Sequence, residues 1–346
     1  MSFQITVQPS GRVFQAEAGE GILAAAIRQG VGLPYGCKDG ACGSCKCKKL
    51  NGTVTHGPHQ AKALSDLEAE QGLILTCCAV PQSDVTLESR QVTQEGALPI
   101  KKMPVRVLKL EKKSADVMLL RLQLPANDAF QFHAGQYVEF LLKDGARRSY
   151  SMANAPHTLG SAPAALELHV RHMPGGLFTD QVFGGLKEKD ILRIEGPFGS
   201  FYLREDSSAP IILLASGTGF APIKALLEHM VHANIQRPTT LYWGGRRPSD
   251  LYLHDWMQMQ LAIMPQLRYV PVVSDALPED GWTGKTGFVH QAVLEDFADL
   301  SGHQVYACGA PIVVESARAD YTQKAKLPAD AFFADAFTSA ADKVKT

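Results

Sequence analysis

Apolar and polar residues alternate from the start of the chain. Phe3-Gln4-Ile5-Thr6-Val7 reads as a strand with one buried face, and Arg12-Val13-Phe14 pairs back on it as a hairpin. Glu20-Gly21-Ile22-Leu23-Ala24-Ala25-Ala26-Ile27 changes to the period of a short helix, ended by Gly30. Beyond a cysteine-rich loop, Asp84-Val85-Thr86-Leu87-Glu88 alternates again and closes a compact unit. From Val105 to about Tyr202 strand patterns dominate: Val105–Leu108, Val117–Leu122, Tyr137–Phe140 and Leu166–Val170. Turn residues separate these runs, which predicts an antiparallel barrel. After Pro210 the pattern changes. Ile211-Ile212-Leu213-Leu214-Ala215 is continuously apolar, as in a parallel strand buried on both faces. A glycine-rich turn, a helix from Pro222 to about Ala233 and strands at Thr239–Trp243, Leu267–Val273 and Gln304–Ala307 follow, which predicts an α/β domain.

A multi-domain chain is therefore expected, with domains at 1–95, 104–205 and 206–346. A linker at 96–103 carries Gly96, Pro99, Lys101 and Lys102. The length of 346 residues agrees with two or three domains, and 45% hydrophobic residues are enough for real cores. A net charge of −1 gives no sequence-wide pull toward nucleic acid or anionic membrane. No run approaches the ~20 apolar residues of a membrane helix. Met1-Ser2-Phe3-Gln4-Ile5 lacks a basic and apolar leader, so a cytoplasmic location is the default.

The cysteines change the picture most. Six of the seven lie between Cys37 and Cys78, and only Cys308 stands apart. An odd count in a cytosolic chain argues against a disulfide framework and for a metal or cluster. Cys37-Lys38-Asp39-Gly40-Ala41-Cys42-Gly43-Ser44-Cys45 is C-x4-C-x2-C, with further cysteines about thirty residues on. That is the ligand spacing of a plant-type [2Fe–2S] cluster. Gly36, Gly40 and Gly43 let the loop wrap tightly and adopt φ > 0. Structural zinc favours paired C-x2-C knuckles, which the loop lacks; a set of buried free thiols is the other bland reading. Cys77 and Cys78 compete for the fourth position. Neighbours on an extended segment point to opposite faces, so only one reaches the cluster.

The loop resembles the ferredoxin domain of oxygenase reductases and of the reductase serving CDP-6-deoxyhexose biosynthesis, and the resemblance runs over essentially the whole chain. It implies a β-grasp ferredoxin domain, a flavin-binding barrel and a Rossmann-like nicotinamide domain, and it favours Cys77, giving Cys37, Cys42, Cys45 and Cys77 as cluster ligands. Arg148-Ser149-Tyr150-Ser151 resembles the superfamily's R-x-Y-S signature. The ring of Tyr150 would cover the isoalloxazine, Ser151 would bond its N5 edge and Arg148 would neutralise phosphate. His169-Val170-Arg171 with Gly175-Gly176-Leu177-Phe178-Thr179 matches the second flavin segment, where a helix start would bind pyrophosphate. Alone, Tyr150 reads as a core ring and the glycines as a plain turn. The ferredoxin domain lies N-terminal, which implies FAD rather than FMN.

Ser216-Gly217-Thr218-Gly219-Phe220-Ala221-Pro222 follows the buried strand and opens a helix, with Pro222 in its first turn. Glycines there let backbone approach a dinucleotide pyrophosphate. Cys308-Gly309-Ala310-Pro311 resembles the C-G-x-P that lies beside the nicotinamide; a buried structural cysteine is the alternative. Asp335 and Phe337 resemble the acidic and aromatic pair bordering the flavin, although the chain runs on to Thr346. Arg246 and Arg247 lie where the adenosine ribose is met and could bind a 2′-phosphate. Arg-x-x-x-Asp-Leu also occurs in NADH-using relatives, so the choice between NADH and NADPH leans only slightly to NADH.

These parts fit one task. NAD(P)H gives two electrons as hydride, a cluster takes one at a time, and a flavin bridges them. The expected route is NAD(P)H to FAD, with Tyr150, Ser151 and Cys308 at the hydride-transfer site, then to the cluster and a separate acceptor protein. The acceptor is the oxygenase component of a bacterial Rieske-type or di-iron oxygenase, or a sugar dehydrase, whose reductase loop the stretch Lys38–Lys46 closely matches. A stand-alone flavin reductase or NADH oxidase and an iron–sulfur sensor are weaker readings. Lys38, Lys46, Lys48 and Lys49 make the loop surroundings basic, so an acidic docking face on the acceptor is one expectation.

Overall fold

The structure is a computed structural model that describes residues 1–92, 98–126 and 129–338. The expected junction at 95–96 and the residues leading to Thr346 lie outside the described residues. Two compact units emerge: Met1–Leu98 with Gly199–Phe201 and the residues from Ala334, and Pro99–Phe198 with Tyr202–Phe333. The barrel and the α/β part, expected as separate domains, thus share one compact unit.

In the first unit the opening hairpin forms as the alternation predicts, with β1 (Ser2–Gln8) antiparallel to β2 (Arg12–Glu17). Helix α1 (Ile22–Arg28) buries Ile22, Leu23, Ala25 and Ala26 against a core containing Ile5, Val7, Phe14 and Leu87. After the cysteine loop come β3 (Lys46–Asn51), β4 (Val54–His56), α2 (Asp66–Glu70), β5 (Leu73–Leu75), β6 (Ala79–Pro81) and β7 (Val85–Glu88). The main sheet has the order β2-β1-β7-β3-β5, with β1 and β7 parallel, and β4 pairs separately with β6. A helix crossing a mixed five-stranded sheet is the expected β-grasp.

The second unit opens with β8 (Lys101–Lys112), β9 (Val117–Gln123), β10 (Tyr137–Leu141), β11 (Arg147–Ser151), β12 (Ala165–Arg171), α3 (Leu177–Gly184) and β13 (Ile191–Phe198). Lys101–Met103 correct the expected linker, because they are the start of β8 and pair with β13. The lysines suggested solvent-exposed linker, yet Met103, Val105 and Val107 face the core while Lys102, Pro104 and Arg106 face out. The strand order is β11-β10-β13-β8-β9-β12. A bridge between Met152 and Leu168 joins the end of β11 to β12, so the sheet closes on itself as a barrel. Phe140 and Phe178 stack in its core at 4.2 Å, and both are buried.

The remaining sheet is ordered β17-β16-β15-β14-β18-β19, all of it in this unit except β19 from Ala334 on. Its strands are β14 (Ile211–Ser216), β15 (Thr239–Gly245), β16 (Leu267–Val273), β17 (Lys285–Thr286), β18 (Gln304–Gly309) and β19 (Phe332–Ala336). Helices α4 (Phe220–His232), α5 (His254–Ile263), α6 (Val289–Asp296) and α7 (Pro311–Lys324) connect them. Strand β14 is parallel to both β15 and β18, so the strand order reverses there, at the crevice where such sheets take dinucleotides.

Truncating Phe140 to alanine removes the ring packed on Phe178 and should cost about 3–5 kcal/mol in denaturant unfolding. Phe288→Ala, at a side chain 61% exposed, should change stability by no more than about 0.5 kcal/mol. Equal losses from the two variants would contradict this placement of the barrel core.

Candidate functional site

The cysteine loop holds its backbone where side chains rarely go: Lys38, Gly40 and Gly43 all have positive φ. A Cβ on Gly40 would stand 2.7 Å from Cys78 Sγ, and one on Gly36 3.3 Å from Cys42 Sγ, so the glycines admit the sulfurs. The thiols group in pairs. The Cys37 amide donates to Cys42 Sγ at 3.3 Å, and Cys45 Sγ lies 3.2 Å from Cys77 Sγ. Hydrogen bonding with Cys37 holds the Cys42 thiol down at about 6, against burial, while the Cys37 thiol is pushed far up by the same bond. Among the described residues no three His, Cys, Asp or Glu side chains converge on one ion. A two-iron cluster takes four thiolates, two on each iron, and the loop sets Cys37 beside Cys42 and Cys45 beside Cys77. The residues present fit a [2Fe–2S] group.

The opposite-face argument for Cys77 and Cys78 needs correction. Thr76–Cys78 is a turn, and the two sulfurs lie 3.6 Å apart. Cys77 is nonetheless the partner of Cys45, whereas Cys78 Sγ points to the carbonyl of Pro58 at 3.5 Å. Buried Cys47 stands apart on β3, its thiol pushed up to about 12 by burial. Of the basic residues around the loop, Lys46 is paired with Glu68 at 2.5 Å and Lys49 donates to the Gly52 carbonyl. Also in this unit, Ser200 exchanges hydrogen bonds with the backbone of Tyr35, two residues before Cys37.

On the barrel, β11 carries the R-S-Y-S residues. Arg148 is half-buried and donates to the Arg147 carbonyl, Ser149 is exposed, and Ser151 is buried opposite Tyr137. Tyr150 rests against Phe140 and Phe178 at 5.7 and 5.2 Å, half-buried, with its hydroxyl pKa pushed up by burial. Gly176 caps α3; a Cβ there would lie 2.6 Å from Thr179 Oγ1, which donates to the Met173 carbonyl. Thr179 therefore shapes the turn. The Gly175 amide is taken by Asp180, and Leu177 is exposed while Phe178 and Val170 are core. Arg171 is fixed by Asp116 at 2.8 Å and reaches the other motif, since a Cβ on Gly217 would lie 3.2 Å from its guanidinium.

The two nicotinamide motifs meet at the strand reversal. A Cβ on Gly219 would fall 2.2 Å from the Cys308 carbonyl oxygen, and one on Gly309, at φ 132°, would fall 2.5 Å from that of Ser216. Only glycine fits either position. Thr218 and Cys308 are buried, and Pro222 sits in the first turn of α4 as expected. The Trp243 indole donates to the Gly217 carbonyl at 3.0 Å and stacks on Phe220 at 3.8 Å. This crevice, with its close backbone and helix start, fits a dinucleotide. Arg247 grips Asp280 with two nitrogens, and Asp335 is buried on β19, with Phe337 half-buried just after it.

The His169 side chain is engaged within the protein. Its ring is buried, with Nδ1 2.8 Å from the Tyr252 hydroxyl and Nε2 3.3 Å from Glu167, so only its backbone is left for a flavin. Glu167 also meets Lys224 at 3.1 Å, and Lys224 meets Glu228 at 2.5 Å and the Ala153 carbonyl. Glu228 accepts the Ala155 amide. This buried chain ties β12 and the segment after β11 to α4. Sequence reasoning missed it. Its only signal was Lys224, a lone cation among the apolar residues of Phe220–Met230.

Burial alone would raise the Glu167 pKa, but the His169 hydrogen bond and the Lys224 charge outweigh it and hold the carboxyl at about 2. A depressed folded-state value contributes stability above the unfolded value of 4.5, lost as pH falls through about 2. Glu167→Gln should therefore cost of order 3 kcal/mol at pH 7, with the gap to wild type closing between about pH 4.5 and 2. Thermal melts across that range test it; a gap independent of pH would refute the assignment.

Residues 5–82 match the 2Fe-2S iron-sulfur cluster binding domain, residues 104–202 the oxidoreductase FAD-binding domain, and residues 213–319 the oxidoreductase NAD-binding domain. The CDP-6-deoxy-L-threo-D-glycero-4-hexulose-3-dehydrase reductase of Yersinia pseudotuberculosis is 40% identical over 340 residues, 97% of this chain and 99% of that protein. Reductase component 1 of the terephthalate 1,2-dioxygenase of a Comamonas species is 37% identical over 98% of both chains. The crystal structure of the Amycolatopsis cytochrome P450 reductase GcoB superposes with a TM-score of 0.77 at 33% identity, covering 98% of this chain and 99% of that one. The chain belongs to the family of NAD(P)H-dependent reductase components in which a [2Fe–2S] ferredoxin domain precedes FAD- and NAD-binding domains.

Proposed function

We propose that the chain supplies electrons from NAD(P)H to a separate protein, the oxygenase component of a bacterial Rieske-type or di-iron oxygenase. FAD, when bound, accepts hydride and passes on single electrons, and the cluster delivers them outward. The two-and-two grouping of Cys37 with Cys42 and Cys45 with Cys77 supports this reading most, because it provides a one-electron site on the same chain as a nucleotide crevice.

The residues divide the work by position. Cys37, Cys42, Cys45 and Cys77 hold the irons. Arg148, Ser149, Tyr150 and Ser151 on β11, the backbone from His169 to Arg171, and Gly175–Thr179 before and within α3 hold FAD; Asp335 and Phe337 border it. Gly217, Thr218, Gly219 and Pro222 admit the coenzyme pyrophosphate, Arg246 and Arg247 meet its ribose, and Cys308 with Gly309 places the nicotinamide. Hydride transfer would need no side chain as general base, so the residues here would bind and orient the two rings. The domains are assigned to 1–95, 104–205 and 206–346, with β8 carrying the start of the second back to Lys101, and the location to the cytoplasm. Among the described residues no helix is long and apolar enough to cross a membrane.

A sugar dehydrase is the second reading for the acceptor, favoured by the 40% identity to the Yersinia dehydrase reductase. The acceptor is chosen by surface complementarity rather than by fold.

Cys42→Ser should abolish reduction of a protein acceptor such as cytochrome c while sparing NAD(P)H-dependent reduction of a dye served by the flavin. Loss of dye reduction with FAD still bound would refute the proposed order of carriers.

A further inference from the structure

The ligand set leaves a fifth thiol at the cluster loop. Cys78 Sγ lies 3.6 Å from Cys77 Sγ, within contact distance. A Cβ on Gly40 would stand 2.7 Å from the same sulfur, so Cys78 packs against the loop between Cys37 and Cys42 and needs glycine there. Its backbone is fixed on both sides: the Cys78 amide donates to the Leu75 carbonyl at 3.0 Å, and its carbonyl accepts the Gly57 amide at 2.9 Å. The turn is also tied to a ligand. Buried Thr76 donates its amide and its hydroxyl to the Cys45 carbonyl, each at 3.2 Å. That anchor precedes both cysteines, so it holds the whole turn against Cys45 rather than selecting one sulfur. Orientation sets Cys77 ahead: its Sγ lies 3.2 Å from Cys45 Sγ, whereas Cys78 Sγ is turned toward the Pro58 carbonyl at 3.5 Å. A thiol–carbonyl contact is a weak restraint, and a change of rotamer releases it. Cys47 has no such freedom, being buried on β3 as the register partner of Ile74.

We infer that Cys78 is a reserve ligand: when Cys77 is released or absent, the Cys78 thiolate takes its place on the same iron, so two thiols serve one ligand position. The exchange breaks one iron–sulfur bond and forms another. The proton of the Cys78 thiol passes to the departing Cys77 thiolate, or to solvent where Cys77 is absent, and no electron moves. A thiol on the same turn enters at high effective concentration, which a cysteine elsewhere in the chain would lack. The assignment rests on the [2Fe–2S] site and holds whichever protein accepts the electrons.

The test measures iron and acid-labile sulfide per bound FAD in wild type, Cys77→Ala, Cys78→Ala and the double variant, each reconstituted anaerobically. Both single variants should reach the wild-type ratio, and the double variant should hold neither iron nor sulfide. Reduced Cys77→Ala should give a [2Fe–2S] EPR spectrum with shifted g values, because its fourth thiolate comes from a different residue. A cluster in the double variant, or none in Cys78→Ala, would overturn the assignment, the latter by making Cys78 the ordinary ligand. So would a Cys77→Ala protein that folds, by circular dichroism, yet stays as empty as the double variant. Should Cys77→Ala fail to fold, the rate of iron loss to a chelator decides with Cys77 in place. Cys78→Ala should lose iron severalfold faster than wild type, because nothing recaptures the iron when Cys77 lets go, and Cys47→Ala should lose it at the wild-type rate. Equal rates in Cys78→Ala and wild type would overturn the assignment. A wild type that takes up no cluster would remove the cluster site itself and this inference with it.

Discussion

The nucleotide half of the molecule depends on one steric constraint: two backbones touch at the strand reversal. Gly219 and Gly309 let the ends of β14 and β18 approach so closely that a single methyl at either position would overlap a carbonyl oxygen. The pyrophosphate turn and the Cys308 segment therefore share one crevice. What surrounds the contact keeps it in place. Trp243 bonds the turn at Gly217, Phe220 stacks on Trp243, and Tyr252 stands edge-on to Trp243 while reaching His169 of the barrel. A contact of two glycines thus extends through three aromatic rings to the flavin-binding strands.

Two kinds of charge pairing operate in this half, and they differ in solvent. Glu167, Lys224 and Glu228 are largely withdrawn from water, where loss of one partner strands a charge in a poorly solvating medium. The carboxylates are covered alike in this pairing and in that of Arg247 with Asp280, and the difference lies in the cation: Lys224 is 7% accessible and Arg247 34%, where a pair adds little stability. The first pairing sets architecture. The second leaves stability nearly alone.

Much of this was legible in the chain because it rests on local rules. Alternation found β1 and β7, strand-rich runs separated by turns found β9, β10 and β12, the continuous apolar run found β14, and the spacing of Cys37, Cys42 and Cys45 announced a cluster loop. The failures came where tertiary pairing overrides local pattern. Lys101 and Lys102 read as linker because nothing in their immediate sequence reveals the pairing with β13. The argument from Cys77 and Cys78 assumed a strand where the chain turns. The side-chain partners of His169, Glu167 on the same strand and Tyr252 far along the chain, had no sequence signal. A bidentate pair between residues 247 and 280 has no sequence signature at all.

The buried chain from Glu167 through Lys224 to Glu228 has a consequence for how such a protein is put together. The buried Lys224 between the part-covered carboxylates of β12 and α4 acts as a key: a shift of one residue between barrel and α/β layer would leave it without its counterparts, so one docking is favoured over others. The two layers are in effect a single cassette, to be inherited or transplanted whole. An engineer exchanging the nicotinamide layer for one from a distant relative would have to carry Lys224, Glu228 and Tyr252 along, or rebuild their partners on the barrel.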